Sequence, residues 1–137
     1  MKAVLDTNVL VSSFLTPAGV RAKVLEAWEK GKFELVVSED ILAEYERALN
    51  YQEVSSRHGM RAEQISEVIA EMKSLATTVK PKQKLTVIQD DPADDKFLEC
   101  ASEAGAEYII SADPHLLNLK QYEDIQILSP SEFLSCI

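Results

Sequence analysis

Apolar residues form two kinds of pattern along this chain. Short continuous apolar runs predict buried strands, and apolar residues repeated every three or four positions predict helices. The runs predict five strands: Lys2–Leu5, Phe33–Val37, Leu85–Ile88, Tyr108–Ser111 and Ile125–Leu128. The periodic segments predict helices at Thr7–Leu15, Val20–Lys30, Glu39–Asn50, Arg61–Ala76 and 92–104, with short helical turns at His115–Leu119 and after Ser129. Residues 51–60 are poorly patterned, which predicts a turn or a frayed helix.

Strands and helices alternate throughout the sequence. Because the strands are continuous apolar runs, both faces of the sheet are expected to be covered. This predicts an α/β fold, a three-layer α/β/α sandwich with a mostly parallel central sheet of about five strands. The 137 residues suggest one domain over positions 1–137.

Residues with capping chemistry mark where several predicted helices begin. Ser38 is a favourable N-cap, and Asp91 is predicted to cap the helix at 92–104 with Pro92 at its first position. Ser129 and Glu132 have the spacing of a capping box, in which each side chain binds the other residue's backbone N–H.

Acidic residues follow predicted strands or open predicted helices at four places. These are Asp6, Glu44, the cluster at 90–95 and Asp113. Parallel sheets bind ligands at the carboxyl ends of their strands, so this fold class brings the acids towards one edge. Carboxylates share a pocket only when a cation joins them, and a hard divalent metal is the usual one. The leading hypothesis is therefore metal-assisted cleavage of a phosphodiester.

Helical spacing selects one acid from each of two helices. Glu44 lies three residues after Ile41, on the stripe that faces the core. Asp94 precedes Phe97 by three residues and lies on the corresponding stripe of its helix. Asp95 is rotated from Asp94 by about 100° and is predicted on the rim.

Each acid taken alone has an ordinary structural alternative. Glu44 would pair with Arg47 or another base at the edge of its stripe. Asp6 would cap the following helix, and Asp94 would interact with a helix dipole. Asp113 would be a turn residue. Only the joint placement of the acids at one sheet edge favours a site.

Charge and cysteine usage restrict the class of protein. The net charge of −9 argues against a protein that coats nucleic acid through bulk electrostatics. No apolar run approaches the ~18 residues that span a bilayer, and Asp6 interrupts any signal-peptide pattern, so a cytoplasmic protein is expected. Cys100 and Cys136 form no C-x-x-C pair, so neither zinc nor redox chemistry is indicated.

Four motifs resemble those of the PIN-domain ribonucleases over nearly the whole chain. Asp6-Thr7-Asn8 matches a first strand that ends in D-T-N, and Glu44 to Leu49 matches an acid within a helix of the E-L-x-x-V-L kind. Asp94 opens a helix that ends at Gly105-Ala106, and Ser111-Ala112-Asp113 matches a strand that ends in T/S-x-D. Relatives often carry a further acid two residues later, where this chain has His115, which is interpreted as a surface histidine.

The resemblance implies an enzyme of defined chemistry. Asp6, Glu44, Asp94 and Asp113 would be the catalytic residues and would bind one or two Mg²⁺ or Mn²⁺ ions. The activity implied is that of an endoribonuclease acting on single-stranded or structured RNA. Residues 90–97 also resemble toxin components of bacterial toxin–antitoxin pairs, which implies an antitoxin partner. The family resemblance also implies a homodimer, with the helices at 39–50 and 61–76 as the contact surface.

Further residues receive supporting roles within this hypothesis. Asn8 and Ser111 are expected to orient the carboxylates. Phosphate contacts are expected from three basic residues: Arg21, Arg47 and Lys96.

Two other functions stay open at the level of the sequence. One is a non-catalytic PIN-fold module that binds RNA or protein. The other is a phosphatase-type hydrolase with an Asp nucleophile, which requires a second Asp where this chain has Asn8.

Overall fold

The structure is a computed structural model that describes residues 1–88 and 92–137. Its strands are β1 (Lys2–Leu5), β2 (Glu34–Val37), β3 (Thr77–Thr78), β4 (Tyr108–Ile110), β5 (Gln121–Tyr122) and β6 (Ile125–Leu128). Its helices are α1 (Thr7–Leu15), α2 (Val20–Glu29), α3 (Glu39–Asn50), α4 (Gln52–His58), α5 (Ala62–Leu75), α6 (Asp95–Ala104), α7 (Pro114–Leu117) and α8 (Pro130–Cys136). A 3-10 turn at Pro92–Asp94 precedes α6.

The strands form one sheet in the order β3-β2-β1-β4-β6-β5. All neighbouring strands are parallel except β5 and β6, which are antiparallel. Ala3, Val4 and Leu5 of β1 are at most 1% exposed, and successive strand residues point to opposite faces. Both faces of the central strand are therefore covered, and the predicted α/β class with a mostly parallel sheet is confirmed.

The pairing register of β1 with β4 places the carboxyl ends of these two strands side by side. Leu5 pairs with Ile110, and the backbone N–H of Asp6 donates to the Ile110 carbonyl at 2.9 Å. The polar residues that follow the two strands, Asp6 and Ser111, therefore lie next to each other at the carboxyl edge of the sheet.

The predicted strand at Leu85–Ile88 is wrong, because this segment lies outside the sheet. Carboxylates of α6 bind its backbone instead: Glu99 accepts from the Leu85 N–H at 2.8 Å. The edge position beside β2 is occupied by β3, which the sequence did not predict. The antiparallel strand β5 was also missed.

Most other predicted elements are present, with ends that differ by one or two residues. Residues 52–58 form helix α4, so the helical alternative for that segment is the correct one. Ser38 accepts from the Ile41 N–H as predicted, and the capping box of Ser129 and Glu132 is formed. The predicted cap Asp91 lies outside the described residues. Within the described part of the chain, no helix has the length and apolar character needed to cross a membrane.

Candidate active site

Asp6 is the centre of the candidate site. It follows β1 directly and is only 3% exposed. Its carboxylate makes no capping hydrogen bond to α1, although its backbone carbonyl accepts from Val9 N–H at 3.1 Å. The side chain instead accepts a hydrogen bond from the Ser111 hydroxyl, with 2.6 Å between Ser111 Oγ and Asp6 Oδ2. The capping alternative for this carboxylate is therefore not realised.

The surroundings of Asp6 disfavour its negative charge. Burial raises the pKa of the Asp6 carboxyl from 3.8 to about 6, against a lowering effect of the Ser111 hydrogen bond. The charges of Asp113 and Glu44 raise this pKa further. Asp6 is thus electrostatically coupled to two other predicted acids, Asp113 and Glu44.

Ser111 connects Asp6 to Asp113. Ser111 is fully buried. Its hydroxyl oxygen accepts a hydrogen bond from the Asp113 N–H at 2.9 Å, and its hydroxyl group donates one to Asp6. Its predicted orienting role agrees with these contacts. Asp113 also caps α7, since its Oδ1 accepts from the His115 N–H at 2.9 Å. The His115 side chain is 45% exposed, which agrees with its interpretation as a surface histidine.

Glu44 reaches the same edge of the sheet from α3. The neighbouring Tyr45 is fully buried, and its hydroxyl donates to the carbonyl of Leu5 at the end of β1. The two oxygens of Glu44 have different partners: Thr7 donates its hydroxyl proton to Oε2, and Lys96 donates to Oε1. The base that pairs with Glu44 is therefore Lys96, and Arg47 is exposed.

Thr7 is a contact that sequence reasoning missed. The prediction selected Asn8 from the D-T-N motif, but Asn8 is exposed and makes no side-chain hydrogen bond within residues 1–88 and 92–137. Thr7 is 8% exposed and holds Glu44. Its position directly after Asp6, at the first residue of α1, is the signal that could have identified it.

Asp94 and Asp95 are both buried, which corrects one prediction. Asp94 is 8% exposed at the junction between the 3-10 turn and α6, two residues before Lys96. Asp95 was predicted on the rim but is only 5% exposed. Its Oδ1 accepts from two backbone N–H groups, those of Val87 at 3.1 Å and Ile88 at 3.0 Å. Asp95 therefore has a structural role.

The donor chemistry of the site suits a hard divalent cation, because every acid offers oxygen atoms. Among the described residues, however, no three His, Cys, Asp or Glu side chains form a ready group for a metal ion. Lys96 and Thr7 engage both oxygens of Glu44, and the ammonium of Lys96 supplies the neutralising charge there.

Comparisons with known proteins support the fold described above. A family model described as "PIN domain" matches residues 2–115. An uncharacterized protein from Methanocaldococcus jannaschii is 25% identical over 142 residues, which cover 98% of this chain and 90% of that protein.

Two solved structures share the fold. The first is VapBC2 from Rickettsia felis bound to a DNA fragment from their promoter, with a TM-score of 0.59, 15% identity, and coverage of 93% of this chain and 97% of the other. The second is VapBC-1 from nontypeable Haemophilus influenzae, with a TM-score of 0.61, 14% identity, and coverage of 96% and 99%.

Proposed function

The chain belongs to the PIN-domain family, and from this premise we propose that it is a Mg²⁺- or Mn²⁺-dependent endoribonuclease acting on single-stranded or structured RNA. The observation that carries the proposal is the buried Asp6 at the carboxyl edge of the sheet. Its pKa is raised to about 6 by burial and by the charges of Asp113 and Glu44. Bringing carboxylates together costs free energy because their charges repel, and a bound cation offsets this repulsion. A divalent metal ion is such a cation, and it also binds a phosphate substrate.

Asp6, Glu44, Asp94 and Asp113 are the residues that would hold the metal, and all four are the proposed catalytic residues. When bound, the metal activates a water molecule and stabilises negative charge on the phosphate. Ser111 restricts the orientation of the Asp6 carboxylate through its hydrogen bond to Oδ2. Thr7 does the same for Glu44 through Oε2. These two hydroxyls reduce the conformational freedom that metal binding would otherwise remove.

We further propose that the chain is the toxin of a toxin–antitoxin pair and acts on RNA in the cytoplasm. The fold it shares with two VapBC structures supports this, and a protein antitoxin would then be its partner. Self-association to a homodimer through α3 and α5 stays a prediction. Co-expression with the product of a short neighbouring gene, followed by co-purification, tests the antitoxin.

Cleavage of a labelled single-stranded RNA tests the enzymatic proposal. Purified protein is expected to cut the RNA with Mg²⁺ or Mn²⁺ present and to stop when EDTA is added, and the products should carry 5′-phosphates. Tight RNA binding without cleavage under either metal would contradict the proposal and favour a binding module. Phosphate transfer to Asp6 from a small phosphoester would favour a phosphatase.

Lys96 provides a prediction about metal affinity. Lys96 donates to Glu44 Oε1 with side chains only 18% and 26% exposed, so its ammonium competes with a metal for that carboxylate. Replacing Lys96 with Met removes this competitor and leaves a more negative site. We expect Mn²⁺ to bind about tenfold more tightly, since a partly buried pair is worth more than the ~0–1 kcal/mol of an exposed one.

Isothermal titration calorimetry with Mn²⁺ measures this change. Lys73→Met is the matched control, because Lys73 pairs with Glu39 at side-chain exposures of 51% and 59%, on α5 and α3. Lys96→Arg keeps the charge and should bind Mn²⁺ as the parent does. An unchanged or weaker affinity in Lys96→Met would show that Lys96 does not compete with the metal.

A further inference from the structure

An open cleft of about 400 Å³ lies beside the second half of α1. The residues of interest in its lining are Ser12, Thr16, Arg21 and Arg57. Arg21 comes from the first turn of α2, and Arg57 from the last turn of α4. Two guanidinium groups from different helices thus face one cleft that also contains two hydroxyl groups.

The cleft is basic in a chain that is otherwise acidic. The sequence has 23 acidic and 14 basic residues, yet neither Arg21 nor Arg57 forms an ion pair within residues 1–88 and 92–137. Arg21 donates instead to the hydroxyl oxygen of Ser12 at 2.9 Å. With so many carboxylates available, two arginines that share a cleft without an acid are poised for an anion from outside.

Hydrogen bonds hold the end of α4, which carries Arg57, next to the end of α3. The ring of His58 connects α3 to the residues that follow α4. Its Nε2 lies 2.9 Å from the Leu49 carbonyl oxygen, and its Nδ1 accepts from the Met60 N–H at 2.9 Å. Gly59 ends α4 with a left-handed φ of 74°. The first turn of α2 contains no acidic residue, and Gly19 at its N-cap also lines the cleft. The amino end of α2 therefore adds a favourable dipole for an anion.

We propose that this cleft binds a backbone phosphate of the RNA that the acidic site cleaves. The inference rests on the proposed function, since α1 connects the two places. Thr7 at its start contacts Glu44, and Ser12 follows five residues later, about 7.5 Å along the helix axis and about 140° around it. A single RNA strand that follows the surface of α1 reaches both places. Arg21 and Arg57 hold the strand by its phosphate, which places a neighbouring phosphodiester at the carboxylates.

Binding of a fluorescently labelled single-stranded RNA, measured by polarisation without metal and over a range of salt concentrations, tests this proposal. All proteins carry Asp6→Asn, so that cleavage does not interfere. Adding Arg21→Ala and Arg57→Ala together should weaken binding about tenfold. It should also reduce the slope of log K against log salt by about 0.7, because each phosphate that is neutralised on a single strand contributes about 0.7 and the cleft holds one.

Two further variants separate loss of a phosphate contact from loss of structure. Lys32→Ala removes an exposed basic residue that lines a different pocket, before the amino end of β2, and should leave affinity and salt slope unchanged. Arg21→Lys with Arg57→Lys keeps both charges and should restore the salt slope. Thermal unfolding of each variant should stay within a few degrees of the parent, because surface changes typically cost little.

The outcomes distinguish this proposal from the proposed function. If the wild-type chain cleaves RNA with Mg²⁺ but the double alanine variant binds RNA with an unchanged salt slope, the cleft is not a phosphate site and the nuclease assignment stands. If the double variant loses RNA binding while the wild-type chain never cleaves, the cleft stands and the nuclease assignment fails. Competition by poly-glutamate at concentrations equal to RNA would overturn the proposal in favour of an acidic peptide.

Discussion

Replacing Asp6 with Asn is expected to abolish RNA cleavage and, without metal, to make the fold more stable at neutral pH. Asp6 is buried and charged above its pKa of about 6, while the same group in the unfolded chain ionises near 3.8. The native state therefore binds more protons than the unfolded state between these two values. Stability that is present at low pH is lost as the pH rises through about 6.

The neutral amide of Asn avoids this loss. At pH 7.5 Asp6→Asn should gain up to about 3 kcal/mol, from roughly two pKa units at 1.36 kcal/mol each. The amide oxygen can still accept the proton of the Ser111 hydroxyl, so the local contact survives. Cleavage should fall on the order of a thousandfold, since an interaction with a metal centre is worth several kcal/mol.

Thermal unfolding from pH 3.5 to 8 in EDTA measures the stability difference. The curves of parent and variant should converge below about pH 3.8, separate as the pH rises to about 6, and stay apart above it. Asp124→Asn, in an exposed turn, is the control and should follow the parent throughout. Added Mn²⁺ should stabilise the parent more than Asp6→Asn, because only the parent keeps the full carboxylate set. A variant that is less stable than the parent at pH 7.5, or that cleaves RNA normally, would contradict this account of Asp6.

The centre of the site could be predicted because it depends on strand ends. β1 and β4 are continuous apolar runs, and the first polar residue after each, Asp6 or Ser111, is visible in the sequence. Parallel pairing then brings these two positions together. Glu44 could be predicted for a similar reason, since a helical period of 3.6 residues places it near the buried face of α3.

Contacts that depend on tertiary partners could not be predicted in the same way. Leu85–Ile88 has the apolar character of a strand, and nothing local indicates that helix carboxylates will bind its N–H groups. Helical spacing also assigned Asp95 to the rim. The spacing of residues within α6 gives no information about the segment at 82–88, which covers that face of the helix. The choice between Thr7 and Asn8 had the same limit, since both of the residues that follow Asp6 are polar.

The segment at 82–88 is held by three acids at four-residue spacing on one face of α6. Glu103 accepts from the Lys82 N–H at 3.0 Å, Glu99 from Leu85, and Asp95 from both Val87 and Ile88. Residues four apart on a helix are neighbours, so the three carboxylates form a row. The row substitutes for the neighbouring strand that the apolar pattern of this segment would otherwise require.

Asp95→Ala is expected to destabilise the protein by about 3 kcal/mol, because hydrogen bonds to charged groups contribute ~1.5–3 kcal/mol each and two are lost. Ile88 is 6% exposed, so water cannot readily replace the carboxylate at its N–H. A loss of this size lowers the melting temperature by roughly 10 °C in a domain of this length. Asp95→Asn keeps an acceptor oxygen and should lose clearly less.

The other two carboxylates of this row, Glu99 and Glu103, provide the controls for this prediction. Glu99→Ala removes one part-buried hydrogen bond and should cost about half as much as Asp95→Ala, while Glu103→Ala removes an exposed one and should cost under ~1 kcal/mol. Denaturant unfolding at pH 7.5 in EDTA measures all four variants. Equal losses at the three positions would mean that charge near the helix, not the hydrogen bonds to the N–H groups of Val87 and Ile88, determines the effect. The predicted order, with Asp95 first, follows only if the carboxylate of Asp95 replaces a strand partner for this segment.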